Sequence, residues 1–406
     1  MGIFNWFSER KASNPTDLLR ELIGRSTSKA GAAVNWKTAA EVSAAFACAR
    51  VIAEGLAQVP FKLFREIPGG GKEQAKAHPL YALMSLRPNE WQTSYEFRET
   101  AALHLAFAGG AYIWKNRVNG KIVELLPYTP QQVTVKRNGW DIHYEITTTD
   151  GRRIPIPAAD MWHIRGPSWD GVVGLDAVKL AREAIGLALA TEEHSARQFS
   201  NGAQIGGILS TDATLKDDQV KALRKSWEET QGGVANAFKT AILWGGLKFQ
   251  PRAQQNDQAQ LIEQRRFQVE EICRHFRVMP IMVGYSDKTA TYASAEQMFL
   301  AHVVHTLGPW YARLEQSADV NLLSERERDE GYYFKFISAG LMRGAHKDRA
   351  EYYAKALGSG GSPAWLTQDE VRELEDRNPM GGSAAELPIP TNVGGTPSTG
   401  ANDATH

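Results

Sequence analysis

Cysteine is scarce: Cys48 and Cys273 are the only two in 406 residues. A disulfide framework is excluded, and both fall on apolar faces of expected helices. They read as small buried hydrophobes in a reducing compartment. Excess charge is missing too, since Lys plus Arg and Asp plus Glu both total 46. A protein whose main task is to hold nucleic acid is usually basic, because affinity rests on phosphate neutralisation. Neutrality argues against a DNA-binding factor and leaves room for transient contact with DNA. No apolar run approaches the ~20 residues of a membrane helix. The start, MGIFNWF, lacks the cationic flank and apolar stretch of a signal peptide. Trp6 stands where a myristoylation signal wants Ser or Thr. The chain reads as cytosolic.

Catalytic patterns are also missing. There is no GxSxG, no Walker pair and no supported Cys–His pair. Pro68-Gly69-Gly70-Gly71 is a flexible turn, because no GxxxxGK(S/T) pattern between strand and helix surrounds it. His302 and His305 lack the HExxH pattern and an acidic or cysteine ligand set, and read as surface or subunit-contact histidines. Glu325, Glu327, Asp329 and Glu330 alternate with Arg326 and Arg328 like a solvated face. Asp212, Asp217 and Asp218 sit beside a helix start, where carboxylates complement the dipole. The expectation is a non-enzymatic chain with no catalytic residue, no metal and no cofactor.

What is present is a large soluble-type chain, 43% hydrophobic and 23% charged, long enough for two or three domains. It is organised around residues 254–297. The first half reads as a helix of about 22 residues, roughly 33 Å long. Ile262, Arg265, Val269, Ile272 and Phe276 form its seam, with Asp257 and Gln260 as its capping pair and Pro280 as its stop. A short polar loop over 284–291 follows, and then a second long helix from Ser294 that holds Gly308-Pro309 in mid-course, where a kink is expected.

Upstream, residues 1–35 look like a loosely held arm. Thr38 and Glu41 suggest a capping box for a helix through Gln58, followed by a strand, VPFKLFRE. HPLYALMSLRPNEWQ gives a short helix and turn, and Thr93 with Glu96 caps the next helix, ending at Gly109-Gly110. Asn119-Gly120, Asn138-Gly139 and Asp150-Gly151 separate alternating segments, the mark of an antiparallel β meander. Trp114, Trp140, Trp162 and Trp169 belong to it and are expected in its core. A long helix over 175–199 precedes a small α/β insert at 203–253, so two long helices flank a compact tip. YYFKFI reads as a strand, helices follow over 346–357 and after the Thr367–Glu370 cap, and the chain beyond Asn378 reads as a disordered tail.

These pieces, in this order, resemble the portal proteins of tailed bacteriophages, in particular the compact type of long-tailed phages. The match runs over 38–382 and rests on SAAFACARVIAEGLAQVPFKLF, HPLYALMSLRPNEWQTSYEFRE, GGAYIW, ELLPYTPQQVTV, MWHIRG, GVVGLDAVKLAREAI, RQFSNGAQIGGIL, LIEQRRFQVEEICRHFRVMPIMVG, TYASAEQ, LGPWYARLEQ and DEVRELEDRNPMGG. The chain departs at Gly109-Gly110, where the family often has Gly-Asn, and at Ala295, where an Asn often precedes Glu-Gln. It also has Met279-Pro280 where two prolines commonly end the central helix.

The resemblance implies an α+β portal fold. Its parts would be an arm (1–37), an α/β wing with the meander (38–173) and a first stem helix (174–202). A clip (203–253), a second stem helix (254–280), and a tunnel loop with kinked helix (281–323) would follow. A wing return strand with a helical crown (324–378) and a tail (379–406) would complete it. It also implies a homo-oligomeric, typically dodecameric ring at one capsid vertex that conducts double-stranded DNA in packaging and ejection. The partners would be the terminase large subunit, the major capsid protein, scaffold and a head-tail adaptor, with no membrane. Ser286, Asp287, Lys288 and Thr289 are the expected DNA-facing loop, and the seam from Ile262 to Phe276 the expected subunit contact. A ring or scaffold component of another assembly machine, or a metal-dependent DNA-processing enzyme, stands as the alternative.

Overall fold

The computed structural model describes residues 27–68, 71–200, 207–211, 215–231, 243, 246–251, 258–285, 292–338, 346–359, 363–375 and 377–388. The chain forms two units, one of Met1–Cys48 with Asp176–Val283, the other of Ala49–Leu175 with Gly284–His406.

Asn35 opens the first helix. Its side-chain oxygen accepts from the N–H groups of Lys37 and Thr38, and Thr38 Oγ1 accepts in return from Asn35 N–H. The capping box therefore lies three residues earlier than Thr38–Glu41, and Val42, in extended conformation, separates α1 (Trp36–Glu41) from α2 (Ser43–Ala57).

The second unit begins with β1 (Phe61–Ile67) and β2 (Gly71–Gln74), then α3 (Pro79–Ser85) and α4 (Ser94–Ala108), the latter with the expected Thr93–Glu96 box. Arg98 on α4 is buried and donates to the carbonyls of Ala57 and Val59 at 2.8 Å, so a guanidinium closes the end of α2. Next come β3 (Gly110–Val118) and β4 (Lys121–Tyr128), joined through Asn119 and Gly120 with φ of 51° and 79°, a type I′ turn. Between β5 (Val133–Asn138) and β6 (Asp141–Thr147), Asn138 stays in the ladder opposite Asp141, and Gly139-Trp140 makes the turn. β7 (Arg153–Pro157) and β8 (Met161–Arg165) complete the series.

The single meander expected from the turns is two sheets, ordered β4-β3-β8 and β5-β6-β7. The reason lies in β8, where Met161, Trp162, His163 and Ile164 are all buried. Buried on both faces, β8 pairs antiparallel with β3 instead of continuing from β7, and takes the border place of that sheet. Tyr112, Val133, Tyr144, Ile146, Ile156 and Met161 form one cluster shared by the two sheets. Of the four tryptophans expected in the core, Trp162 is fully buried and Trp114 packs against this cluster. Trp140 and Trp169 are 92% and 67% exposed; Trp140 occupies the hairpin tip, stacked under Arg137.

In the first unit, α5 (Ala177–Leu180) is capped by Asp176, and Ala181 breaks it from α6 (Arg182–Ser200), so the expected single helix has a joint. β9 (Gly207–Ser210), α7 (Asp217–Gln231) and β10 (Lys248–Pro251) form the insert, with β9 and β10 antiparallel and Trp227 against Phe249. α8 (Gln258–Phe276) follows. It stops at Arg277, whose φ is +56°, while Val278 N–H returns to the Cys273 carbonyl. The stop is thus three residues before Pro280, which opens a 3-10 turn over Pro280–Val283. Part of the supposed loose arm is docked: Lys29 N–H donates to Glu183, and Ser28 and Val34 are buried. Any side chain at Gly186 would overlap Ser28.

The second unit resumes with α9 (Tyr292–Ala301), a π-helical segment His302–Leu307, and α10 (Gly308–Leu322). Gly308 N–H reaches back five residues to Val303 O, just before Pro309, which has no N–H to donate. The expected irregularity is therefore a wide turn inside a continuing helix. α11 (Glu325–Asp329) leads to β11 (Tyr332–Phe336), which pairs with β1 to give the order β11-β1-β2. Phe61 stacks on Phe334 and Phe336.

The borders of this third sheet are met by side chains. Asp319 and Glu315 of α10 accept from the N–H groups of Phe334 and Phe336 at 2.7 and 2.8 Å. On β2, the Asn378 amide accepts from Lys72 N–H and donates to Lys72 O. α12 (His346–Ala356) and α13 (Gln368–Leu374) complete the helices. The start of the supposed tail is ordered: Asp369 accepts from Met380 and Gly381 N–H, and Gly382–Ala385 forms a 3-10 turn with Ala384 buried.

Candidate stem and clip elements

Two long helices flanking an insert are the feature that points furthest towards function. On α6, Ala181 just before it and Ile185, Ala188 and Ser195 within it are buried; on α8, Gln268, Ile272, Cys273 and Phe276 are buried. Gln268 Nε2 donates to Thr191 Oγ1 at 3.2 Å, a polar contact between the two helices, and buried Ser195 donates to Thr191 O within α6. A buried amide with one well-placed partner resists sliding of one helix along the other, because any other register leaves it unsatisfied. Outside it, Arg265 faces Glu192 at 3.8 Å.

The five seam residues expected from the sequence divide along α8. Ile272 and Phe276 are buried, Val269 is half-buried, and Ile262 and Arg265 are exposed. Phe267, outside the expected seam, is 55% exposed, and Ile262 is 56% exposed. The buried positions of the helix thus lie in its C-terminal half, while residues 262–267 are exposed and mix Ile262 and Phe267 with charged side chains. Gln268 was missed because the expected seam ran through Arg265 and Val269 on either side of it; its spacing of four from Ile272 was the available signal.

Several charges on α6 and α8 are paired. Besides Arg265–Glu192, Arg274 pairs with Glu271 at 3.0 Å, Arg182 with Glu183 at 3.4 Å, and Arg197 with Glu193. Such pairs at the surface add little stability. On α7, Asp217 and Asp218 sit in the first turn, where their charge meets the helix dipole. Among the described residues no three His, Cys, Asp or Glu groups converge as a metal site. Ser286, Asp287, Lys288 and Thr289 lie outside the described residues.

The chain enters α5 and α6 after a knot of glycines in the second unit. Gly166 N–H donates to Gly109 O at 2.7 Å, and Leu175 N–H to Pro167 O at 2.7 Å. A Cβ on Gly174 would overlap Gly109 O, and one on Gly109 would overlap Leu175 O. Arg313 on α10 donates to the carbonyls of Arg165 and Gly166. Sequence reading took Gly109-Gly110 as a helix end, which it is (φ of +72° at Gly109), and missed this second use.

The histidine pair separates. His302 is 2% exposed with an unpartnered Nδ1, while His305 is exposed, so only His305 keeps the surface placement expected of both. Burial lowers the pKa of His302 and keeps it neutral.

Comparison with known proteins matches residues 43–376 to the family model for phage portal proteins. The chain is 29% identical over 379 residues to a probable portal protein of Streptomyces phage phiC31, covering 90% of this chain and 81% of that protein. It is 28% identical over 353 residues to the portal protein of Enterobacteria phage HK97, covering 86% and 82%. Among solved structures, the neck of a native gene transfer agent particle computed with C12 symmetry superposes with a TM-score of 0.56 at 23% identity, covering 83% of this chain and 91% of that one. The crystal structure of an HK97 family phage portal protein from Corynebacterium diphtheriae gives 0.56 at 16% identity, covering 75% and 96%.

Proposed function

The chain belongs to the phage portal protein family, and on that premise we propose that its copies form a twelve-fold ring at one capsid vertex, like the neck relative computed with C12 symmetry. The ring is the channel for double-stranded DNA entering during packaging and leaving at ejection. In this reading α6 and α8 are the stem, residues 203–253 the clip, and the clip meets the terminase motor first and the head-tail adaptor afterwards. Major capsid protein and scaffold are the partners during head assembly. The observation that carries the reading is the family match across 43–376, which spans both long helices and the insert between them.

The physics of a conduit agrees with the charge. Each phosphate held by a cation releases a counterion and strengthens binding, and DNA that must slide cannot be held so. A net charge of zero, with ion pairs along the stem, suits passage and not capture. Native mass measurement with negative-stain imaging of the purified protein tests the ring. Rings of twelve-fold symmetry with a central hole are expected; a monomer that stays so with scaffold and capsid protein present sinks the reading. The loop Ser286, Asp287, Lys288 and Thr289 is proposed to face the DNA. Deleting Lys288 and Thr289 is expected to lower DNA filling or retention, and unchanged filling and retention discards that role.

A further inference from the structure

The fold brings the two cysteines together across 225 positions of chain, Sγ to Sγ at 3.6 Å, with the Cys48 thiol donating to Cys273. Both are buried, Cys48 on α2 and Cys273 on α8, and both lie in the first unit. Two thiols in van der Waals contact need only small side-chain rotations to reach the roughly 2.05 Å of a disulfide. Their shared proton also divides their chemistry. The hydrogen bond from Cys48 lowers the Cys273 pKa, opposed by burial and by Glu270, while Cys48 is raised by that hydrogen bond and by burial. Cys273 is thus the sulfur that ionises first and Cys48 the one that follows.

We propose that Cys48 and Cys273 are a modification site that closes to an intramolecular disulfide when the protein leaves a reducing compartment and meets a low-molecular-weight disulfide. The Cys273 thiolate attacks one sulfur of the small disulfide, forming a mixed disulfide and expelling one small thiolate. Cys48 then gives up its proton and attacks the Cys273 sulfur, expelling the second small thiolate. Two protein thiols lose two electrons and two protons, and one small disulfide gains them. Burial keeps the oxidant away from the closed fold, so the reaction is gated by local opening of α8 or α2. The bond itself depends only on this chain; its timing, after release of a particle into oxidising surroundings, rests on the portal reading.

The test uses the full chain, purified with reductant and then held under native conditions with oxidised glutathione until the thiol count is constant. After alkylation in denaturant, the intact mass is expected to show two hydrogens lost and no alkyl group taken up. Digestion is expected to give one linked peptide pair containing both cysteines, and the melting temperature to rise and fall back on reduction. The Cys48→Ser variant is expected to stop at a stable glutathione adduct on Cys273. Two alkylated thiols, a persistent adduct in the unsubstituted chain, or a disulfide between two chains would each overturn the proposal. A chain that closes the bond yet forms no ring sinks only the portal-ring reading; rings with both thiols free sink only this inference.

Discussion

Asp319 shows how much a single carboxylate can be asked to do. It stands on α10, half-buried, and accepts the N–H of Phe334, a residue 1% exposed. Burial pushes its carboxyl up to about 6, with Glu315 adding to the rise and Arg328 and Lys335 opposing it. The folded chain therefore keeps a proton that the unfolded chain releases, and between pH about 4 and 6 stability from this group grows as pH falls. Above 6 the full cost of a buried charge is present. Asp319→Asn keeps the acceptor and removes the charge. Its urea midpoint at pH 7 is expected to equal or exceed that of the unsubstituted chain, and the difference to shrink towards pH 4.5; a constant deficit at both values would refute this. No sequence pattern marks Asp319, because its role depends on a strand whose nearest bonded residue lies 15 positions on. The same is true of Gln268 and of the contact between Cys48 and Cys273, each defined by a partner on another helix.

At the scale of elements, legibility followed the locality of the cause. The Asn119-Gly120 hairpin, the Thr93–Glu96 cap and the strand YYFKFI were readable because their determinants are neighbours in the chain. The partition of six strands into two sheets was not, since it turns on β8 pairing with β3, about fifty positions back, and not with its neighbour β7. Nor was the stop of α8, where Arg277 takes a left-handed conformation that sequence assigns to glycine. The glycine knot gives a sharp test. Gly174→Ala forces a methyl into Gly109 O and is expected to cost at least about 3 kcal/mol. Gly171→Ala, nearby and open, meets only backbone strain of about 1 kcal/mol. Equal melting temperatures for the two variants would show that the backbones are not packed as described. On α8, Arg265→Glu replaces the pairing with Glu192 by like charges on facing positions and is expected to lower ring yield. Adding Glu192→Arg is expected to restore ring yield if the pair acts within one chain. If Arg265 instead meets a carboxylate of a neighbouring copy, the double variant remains as impaired as Arg265→Glu, and sedimentation separates the two outcomes.

For the whole molecule, two long helices around an insert, read with the family resemblance, proved sufficient to reach the portal proteins, while composition could only exclude other classes. The sheet β11-β1-β2 adds a consequence for assembly. One border is sealed by two carboxylates and the other by an asparagine amide. Exposed strand borders are templates on which further chains can polymerise without limit. Many copies crowded together thus have no fibre to grow from this sheet, and their association is left to side-chain faces, whose geometry can close upon itself and count.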